Sequence, residues 1–418
     1  MDLTEWLPYK ISNLRETFEI YFKFIKLYTF RVEYTMKEYY ERKINLNLSN
    51  SKILIRQSLI GWIVCSFLWI LFLWPDCPYI IHSNYVSSKI QIDGFYTIFA
   101  YTSIVIMLLE MMCYQALYAI LNYDLYFNDV MRKLLRFDDR HLKPKSKRFL
   151  LIYFVYFGYL SGTVYRFFYA FLSIVYVCIL LQFIYDFLRG IFTMIQMILS
   201  FILWLCFFDH VIFITGELFT VMFSFAFTCD FMLIRLKELA ESPAWKTIRK
   251  GLVWNYPQQF RLKYSEIFYD ITTINRTFRD FFFIVETVSK TTIVYAVILY
   301  SKQTEFNIAF VFIFSLLIIT FLVTSTLYAR VSFLYTYNDI LGKYSTCWNA
   351  NLQFILNRQQ QNRKPLRFLN QTTKYPTKLL RDRIRSNLFI QALTVNPIGF
   401  SCGRDFYITR NKSVEFSL

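Results

Sequence analysis

The stretch LIGWIVCSFLWILFLW, residues 59–74, is the first sustained apolar run of the chain. It contains no charged residue, and Pro75 and Asp76 follow it directly. Such a run leaves no polar face for water, and a helix is the structure that satisfies its own backbone hydrogen bonds inside a bilayer. The stretch therefore predicts a membrane-spanning helix.

Further apolar runs extend this pattern through most of the chain. The region 149–234 allows two interpretations: two long tilted helices with a mostly buried outer connection, or four short ones joined by two-residue links. We favour two, because two-residue links hardly leave room for a turn. The predicted spans are then 59–74, 95–121, 165–187, 211–234, 281–300 and 306–329.

Composition supports the same fold class. The 418 residues are 56% hydrophobic with a mean hydropathy of +0.35, which is more apolar surface than a soluble domain of this size can bury. Only 10 glycines and 9 prolines are present, and neither alternating strands nor a fixed repeat appears. The prediction is an all-α, polytopic membrane helix bundle with six spans.

Basic residues predict the orientation of this bundle. Of the 46 Lys and Arg residues, 38 lie in four segments: 1–56, 132–148, 235–279 and 330–385. The opposing loops 76–94 and 301–305 hold one each. The positive-inside rule then places the amino terminus and all long loops in the cytoplasm. This asymmetry explains the net charge of +17 without nucleic acid as a partner.

Three regions follow from this topology. We expect a cytoplasmic amino-terminal region at 1–56, a helix bundle at 57–329 and a cytoplasmic carboxy-terminal region at 330–418. Within the bundle, 123–148 and 235–280 are expected to be cytoplasmic loops, the second formed by amphipathic helices and containing the breakers Ser242-Pro243 and Tyr256-Pro257. The Gln/Asn-rich patch NRQQQNRK at 357–364 is interpreted as a loop.

Ionisable residues inside the predicted spans are the first candidates for function, because a charge in hydrocarbon costs a few kcal/mol. Glu286 and Lys290 are four residues apart on one helix face, and we favour a structural pair over a ligand site. Glu217 and Arg166 either point into a pocket of the outer half or lie at helix ends with their side chains reaching towards water. The full set is Glu110, Arg166, Glu217, Asp230, Glu286 and Lys290.

Tyrosines recur along the region after residue 149. Their rings and hydroxyls could line a cavity for small organic ligands, but packing and interfacial placement are the favoured interpretation. The residues concerned are Tyr153, Tyr156, Tyr159, Tyr165 and Tyr169.

Signatures of enzymes are not recognised. The three histidines, at 82, 141 and 210, are interpreted as isolated, and the chain shows no H-E-x-x-H, G-x-S-x-G, phosphate-binding or dinucleotide-binding motif. The eight cysteines are scattered without a C-x-x-C pair and are interpreted as buried thiols. We expect neither catalysis nor a metal or other cofactor.

Two segments carry a resemblance to a known family. LKYSEIFYDITTINRTFRDFFFIVE, residues 262–286, and SNLFIQALTVNPIGFSCGRDFYITRN, residues 386–411, resemble the arthropod gustatory receptor family, within the insect chemoreceptor superfamily. The second contains the family's pattern of Cys, Gly, aromatic, Ile and Arg residues, with spacing about one residue longer. The matching positions are Cys402, Gly403, Phe406, Tyr407, Ile408 and Arg410.

This resemblance implies a fold and a function. Members of the family have seven helices with a cytoplasmic amino terminus and assemble as tetrameric, ligand-gated cation channels in the plasma membrane. A small-molecule tastant and partner subunits of a homo- or hetero-tetramer are the expected partners, besides the lipid bilayer. The signature of the pore-lining seventh helix is Thr-Tyr followed by apolar residues and Gln-Phe within that helix. It is not found after residue 411, so the chain is expected to need partners to conduct.

Two other functional classes remain alternatives. A multi-pass transporter would show uptake and a polar site at the membrane midplane. A G-protein-coupled receptor would place the amino terminus outside, against the distribution of basic residues.

Overall fold

Helices form almost all of the described structure. The computed structural model describes residues 34–45, 47, 51–74, 77, 97–135, 142–191, 193–241, 256–301, 308–362, 381, 384–391, 401–402 and 406–407. The helices are α1 (Met36–Tyr40), α2 (Lys52–Leu73), α3 (Thr97–Leu121), α4 (Tyr126–Leu135), α5 (Pro144–Leu188), α6 (Met194–Ala240), α7 (Tyr256–Ser301) and α8 (Ile308–Asn362). Two strands of two residues each, β1 (Ser401–Cys402) and β2 (Phe406–Tyr407), pair antiparallel.

Five helical segments of the described part are long and apolar enough to cross a membrane. They are Lys52–Leu73, Thr97–Leu121, Arg166–Leu188, Met194–Ala240 and Gln259–Ile298. This confirms the predicted helical membrane bundle. The sixth predicted span, 306–329, is helical from Ile308 onwards, and its membrane crossing stays a prediction, as does the orientation of the chain.

The segment Arg166–Leu188 of α5 shows why a bilayer must surround the protein. Only 6% of its most apolar window is buried inside the chain. Its outward side chains include Phe167, Ile174, Leu181 and Leu188, each more than 60% exposed. Apolar surface of this extent is unfavourable in water and favourable against lipid.

The region 149–234 contains two helices, as predicted, but the expected buried connection between them is wrong. The described link residues 189–191 and 193 are exposed. Gly190 has φ +73°, and Ile191 N–H donates to the Asp186 carbonyl at 3.1 Å, which ends α5 in a Schellman motif. Thr193 and Gln196 then exchange backbone–side-chain hydrogen bonds, a capping box that begins α6. The backbone groups of this turn form hydrogen bonds with nearby residues, so the turn is stable without being buried against the bundle.

Two other predicted boundaries differ from the structure. Tyr256-Pro257 does not break a helix but begins α7, because proline fits the first turn, where its missing N–H has no helical partner to lose. The helix then continues through Phe281 without a break. The Gln/Asn-rich patch, predicted as a loop, is helical over 357–362 as the end of α8.

The chain divides into two compact units. Unit 1 comprises Met1–Phe137, Arg148–Phe227 and Asp280–Thr324, and unit 2 comprises Asp138–Lys147, Thr228–Arg279 and Ser325–Leu418. Helices α5, α6, α7 and α8 each contribute residues to both units.

Unit 1 has an apolar core built by α2, α3 and α6. Val64 and Phe67 of α2 pack with Phe99 and Ile106 of α3, and Ile214 of α6 joins them. A second aromatic contact set surrounds Phe227, whose ring meets Phe154 edge-on at 5.2 Å. The expected spans of this unit therefore contact one another through interlocking side chains.

The amino-terminal segment of unit 1 is held by tyrosines. Tyr39 Oη accepts from the Leu125 N–H at 2.9 Å and lies 3.4 Å from the Leu125 carbonyl, and Tyr40 Oη donates to the Asn128 carbonyl at 2.5 Å. Burial raises the pKa of Tyr34 to about 12, although a hydrogen bond with Asn128 acts in the opposite direction. The segment around α1 therefore docks on the turn between α3 and α4.

Candidate functional site

The charged residues predicted inside the spans are mostly paired. Lys290 Nζ lies 2.6 Å from Glu286 Oε1, so the predicted structural pair on α7 is confirmed. Asp230, buried in unit 2, accepts a contact from Arg330 Nε at 2.9 Å. Glu217 is buried on α6, whereas Arg166 on α5 is exposed.

Glu110 has a partner that the sequence did not indicate. Its Oε1 lies 3.0 Å from Nε2 of His210, whose side chain is fully buried. The interpretation of His210 as an isolated histidine is therefore wrong. The two residues are a hundred positions apart, on α3 and α6, so no local spacing could have linked them.

The tyrosines of α5 do not behave as one stripe. Tyr153 is partly buried and stacks on Phe227 with centroids 6.4 Å apart, whereas Tyr156 and Tyr169 are about half exposed. The side chains of Tyr159 and Tyr165 lie outside the described residues. For Tyr153 the favoured interpretation, packing, is confirmed.

A different tyrosine pair lies between α3 and α7 of unit 1. The rings of Tyr101 and Tyr295 stack with centroids 4.3 Å apart and planes 3° from parallel. Both rings are partly buried and therefore keep some accessible surface. Sequence reasoning missed this pair, because it joins positions from opposite ends of the membrane region.

Threonines brace both tyrosine hydroxyls. Thr292 Oγ1 donates to the Val288 carbonyl at 2.6 Å, so its oxygen is left to accept from Tyr101 Oη, also at 2.6 Å. Thr97 Oγ1 and Tyr295 Oη are 3.1 Å apart. Hydrogen bonds between the helices thus hold both rings in place through their hydroxyls. We call Thr97, Tyr101, Thr292 and Tyr295 the tyrosine–threonine cluster.

The groups of this cluster are of the kinds that recognition sites use. Fixed aromatic rings bind flat apolar molecules by stacking, and neighbouring hydroxyls add hydrogen bonds that give orientation. Fixing the rings in advance lowers the entropy lost when a ligand is held. A signal that could have indicated it is the recurrence of Thr and Tyr one turn apart, at 97 and 101 and again at 292 and 295.

In unit 2, a buried arginine joins two helices. Arg235 of α6 makes an ion pair with Asp270 of α7, and its second terminal nitrogen lies 3.2 Å from Glu266. The guanidinium also lies over the Phe231 ring, 5.5 Å from its centroid. Arg235 and Asp270 are each less than 10% exposed, so the ion pair is removed from water and resists screening by salt.

A second buried contact in unit 2 joins α7 to α8. Tyr264 Oη donates to Asn338 Oδ1 at 2.6 Å. The Tyr264 ring also meets Phe389 edge-on at 5.5 Å, which brings the helical residues 384–391 onto α7. Unit 2 is therefore tied by polar contacts that were not predicted.

The family-motif residues are partly described. Cys402 pairs with Phe406 across the two-residue strands, and Tyr407 pairs with Ser401. Gly403, Ile408 and Arg410 lie outside the described residues. Three of the six positions therefore lie on one short β-hairpin.

Metal-binding residues do not cluster in the part of the chain that the structure describes: no group of three or more His, Cys, Asp or Glu side chains could hold an ion there.

Comparison with known proteins adds no identification. No family model matches the sequence, and no curated protein matches it.

Proposed function

We propose that this chain is a chemoreceptor subunit of the gustatory-receptor type, which binds small-molecule tastants and takes part in a ligand-gated, non-selective cation channel of the plasma membrane. The resemblance of 262–286 and 386–411 to that family supports this proposal. The apolar helices of the chain are compatible with it.

The observation that carries the proposal is the tyrosine–threonine cluster. It combines two parallel rings with partly accessible surface and four hydroxyls, within a bundle of apolar helices. Under the orientation that the basic residues favour, the first turns of α3 and the last turns of α7 lie towards the outside. A tastant arriving from outside would meet the cluster before any cytoplasmic group.

A ligand at this cluster has a physical route to a response. Helix α7 carries Thr292 and Tyr295 and also carries Asp270, the partner of Arg235. A ligand that binds one position of α7 more tightly than another shifts the helix towards that position, by no more than this difference in affinity. Partner subunits, in a homo- or hetero-tetramer, would complete the ion path.

Electrical recording tests the proposal. The chain is expressed in oocytes, alone and with candidate partner subunits, and currents are recorded during application of alkaloids and of mono- and disaccharides. We expect a ligand-evoked cation current. Replacing Tyr101 with Ala should lower the potency of the active compound about ten-fold, since both stacking and a hydrogen bond are lost.

Tyr118→Ala is the matched control. Tyr118 lies on the same helix, is 71% exposed and is not in the cluster, so its replacement should leave potency unchanged. If Tyr101→Ala and Tyr118→Ala changed potency equally, the cluster would not be the ligand-binding site.

The alternative function, a transporter of unknown substrate, predicts a different result. Radiolabelled compounds from the same panel would then accumulate in the oocytes, and this uptake would saturate without an evoked cation current.

A further inference from the structure

We propose that Gln57, Glu110 and His210 form a proton-binding site between α2, α3 and α6, in which one proton is shared by Nε2 of His210 and the carboxylate of Glu110. The site lies in unit 1 and does not depend on the proposed receptor function. The position of this proton follows from which atoms of the cluster can donate and which can only accept.

The orientation of Gln57 is set by Asp209. Gln57 Nε2 donates to Asp209 Oδ2 at 3.2 Å, and an ionised carboxylate can only accept, so the amide nitrogen must face it. The amide oxygen of Gln57 then faces His210 Nδ1 at 3.4 Å. Since a carbonyl oxygen cannot donate, Nδ1 is the nitrogen that carries a hydrogen.

This leaves Nε2 without a hydrogen when the imidazole is neutral. Opposite it, at 3.0 Å, lies Oε1 of Glu110, which as a carboxylate is also an acceptor. Two facing acceptors at this separation repel each other. One proton from solvent, bound between Nε2 and Oε1, converts the contact into a charge-assisted hydrogen bond and raises the charge of the cluster by one.

The surroundings make this proton matter. His210 is fully buried, and no described residue makes an aligned hydrogen bond with its Nε2. A Cβ at Gly61 would lie 2.9 Å from Cε1 and Nε2 of the imidazole, so glycine leaves the space in which the ring sits. The low dielectric constant of a buried site strengthens both the attraction in the protonated state and the repulsion in the unprotonated state.

Other ionisable groups lie around the cluster. On α2, the Arg56 guanidinium lies 3.7 Å from Asp209 Oδ2, and the Cys65 thiol interacts electrostatically with Glu110. On α6, Cys206 interacts electrostatically with Asp209, and on α7 Tyr295 packs against the adjoining apolar core. Asp209 is 46% exposed and Glu110 14%, so both carboxylates reach the surface of the chain.

The consequence is a contact between three helices that depends on pH. When the proton is bound, α3 and α6 attract each other at this point. When it is lost as pH rises, the facing acceptors repel, and the contact weakens. The stabilisation is therefore present at low pH and lost on alkalinisation.

Nuclear magnetic resonance of histidine tests the proposal directly. Only three histidines occur in the chain, so H82Q/H141Q protein labelled with ¹⁵N-histidine reports on His210 alone. In lipid nanodiscs between pH 5 and 9, we expect Nδ1 to carry a hydrogen throughout and Nε2 to gain one on acidification. In E110Q, the midpoint of that gain should fall by at least one pH unit, a ten-fold loss of proton affinity.

Controls separate this site from a general effect of charge. Glu286→Gln removes another buried carboxylate of unit 1, already paired with Lys290, and should leave the midpoint unchanged. A neutral His210 with its hydrogen on Nε2 would overturn the proposal, and so would an unchanged midpoint in E110Q. The tautomer of His210 is measured in the H82Q/H141Q protein alone, so this result tests the proposal even if E110Q does not fold.

Discussion

Both units bury an acid–base contact between two helices, but the two contacts differ in what pH can do to them. In unit 2, Arg235 pairs with Asp270 and Glu266, and a guanidinium keeps its charge at any physiological pH. In unit 1, His210 faces Glu110, and an imidazole gains or loses its charge within that range. The Arg235 contact is therefore constant over this range, whereas the proposed proton site would make the His210 contact respond to pH.

The largest expected effect comes from Arg235. Replacing it with Ala removes the ion pair from the buried Asp270, which should destabilise the protein by about 3–5 kcal/mol. Thermal unfolding followed by circular dichroism in nanodiscs at pH 7.5 measures it, and a loss below about 1 kcal/mol, as at an exposed ion pair, would show that this pair does not hold unit 2 together.

Gly61→Ala should have the next largest effect. The new methyl group would lie 2.9 Å from the buried imidazole, and such overpacking typically costs about 1–3 kcal/mol. The double variant G61A/H210A should regain part of this stability, because the atoms that collide are then gone. If the double variant instead lost as much stability as G61A and H210A together, the methyl group would strain something other than His210.

Tyr34 provides a third test, at alkaline pH. Because burial raises its pKa to about 12, its neutral form is favoured in the folded chain, and this stabilisation is complete below pH 10. It should be lost as pH rises from 10 to 12, by roughly 1–2 kcal/mol. Comparison of the unfolding transitions of the wild type and Tyr34→Phe measures this loss, and identical pH profiles would contradict it.

The smallest effect is expected at an exposed ion pair of unit 2. Lys343 Nζ lies 2.7 Å from Asp339, and this hydrogen bond raises the pKa of Lys343, but both side chains are more than half exposed. Lys343→Ala should leave the unfolding temperature unchanged, because water and salt screen such pairs. A loss comparable to that of Arg235→Ala would show that burial is not what separates the two ion pairs.

Sequence reasoning succeeded where the interaction is local. Glu286 and Lys290 are one helical turn apart, and the structure pairs them. The spans beginning near 59, 95 and 165 correspond to helices. In a bilayer, the backbone N–H and C=O groups of an apolar run must form hydrogen bonds with each other, and a helix provides them.

It failed where polarity was taken as a sign of loops. The patch at 357–364 was predicted as a loop because Gln, Asn and Arg are polar, but Gln and Arg are good helix formers, and α8 continues through Asn362. Pro257 was interpreted as a breaker, although the first turn of a helix accepts proline.

The sequence by itself determined that the chain is a bundle of apolar helices and where most of those helices lie. These features depend on the hydrophobicity of consecutive residues, which can be read along the chain. Only the tertiary structure decided which polar groups meet. Tyr101 stacks on Tyr295 and Glu110 faces His210 across more than 90 positions, and such partners are selected by helix packing, which no local spacing records.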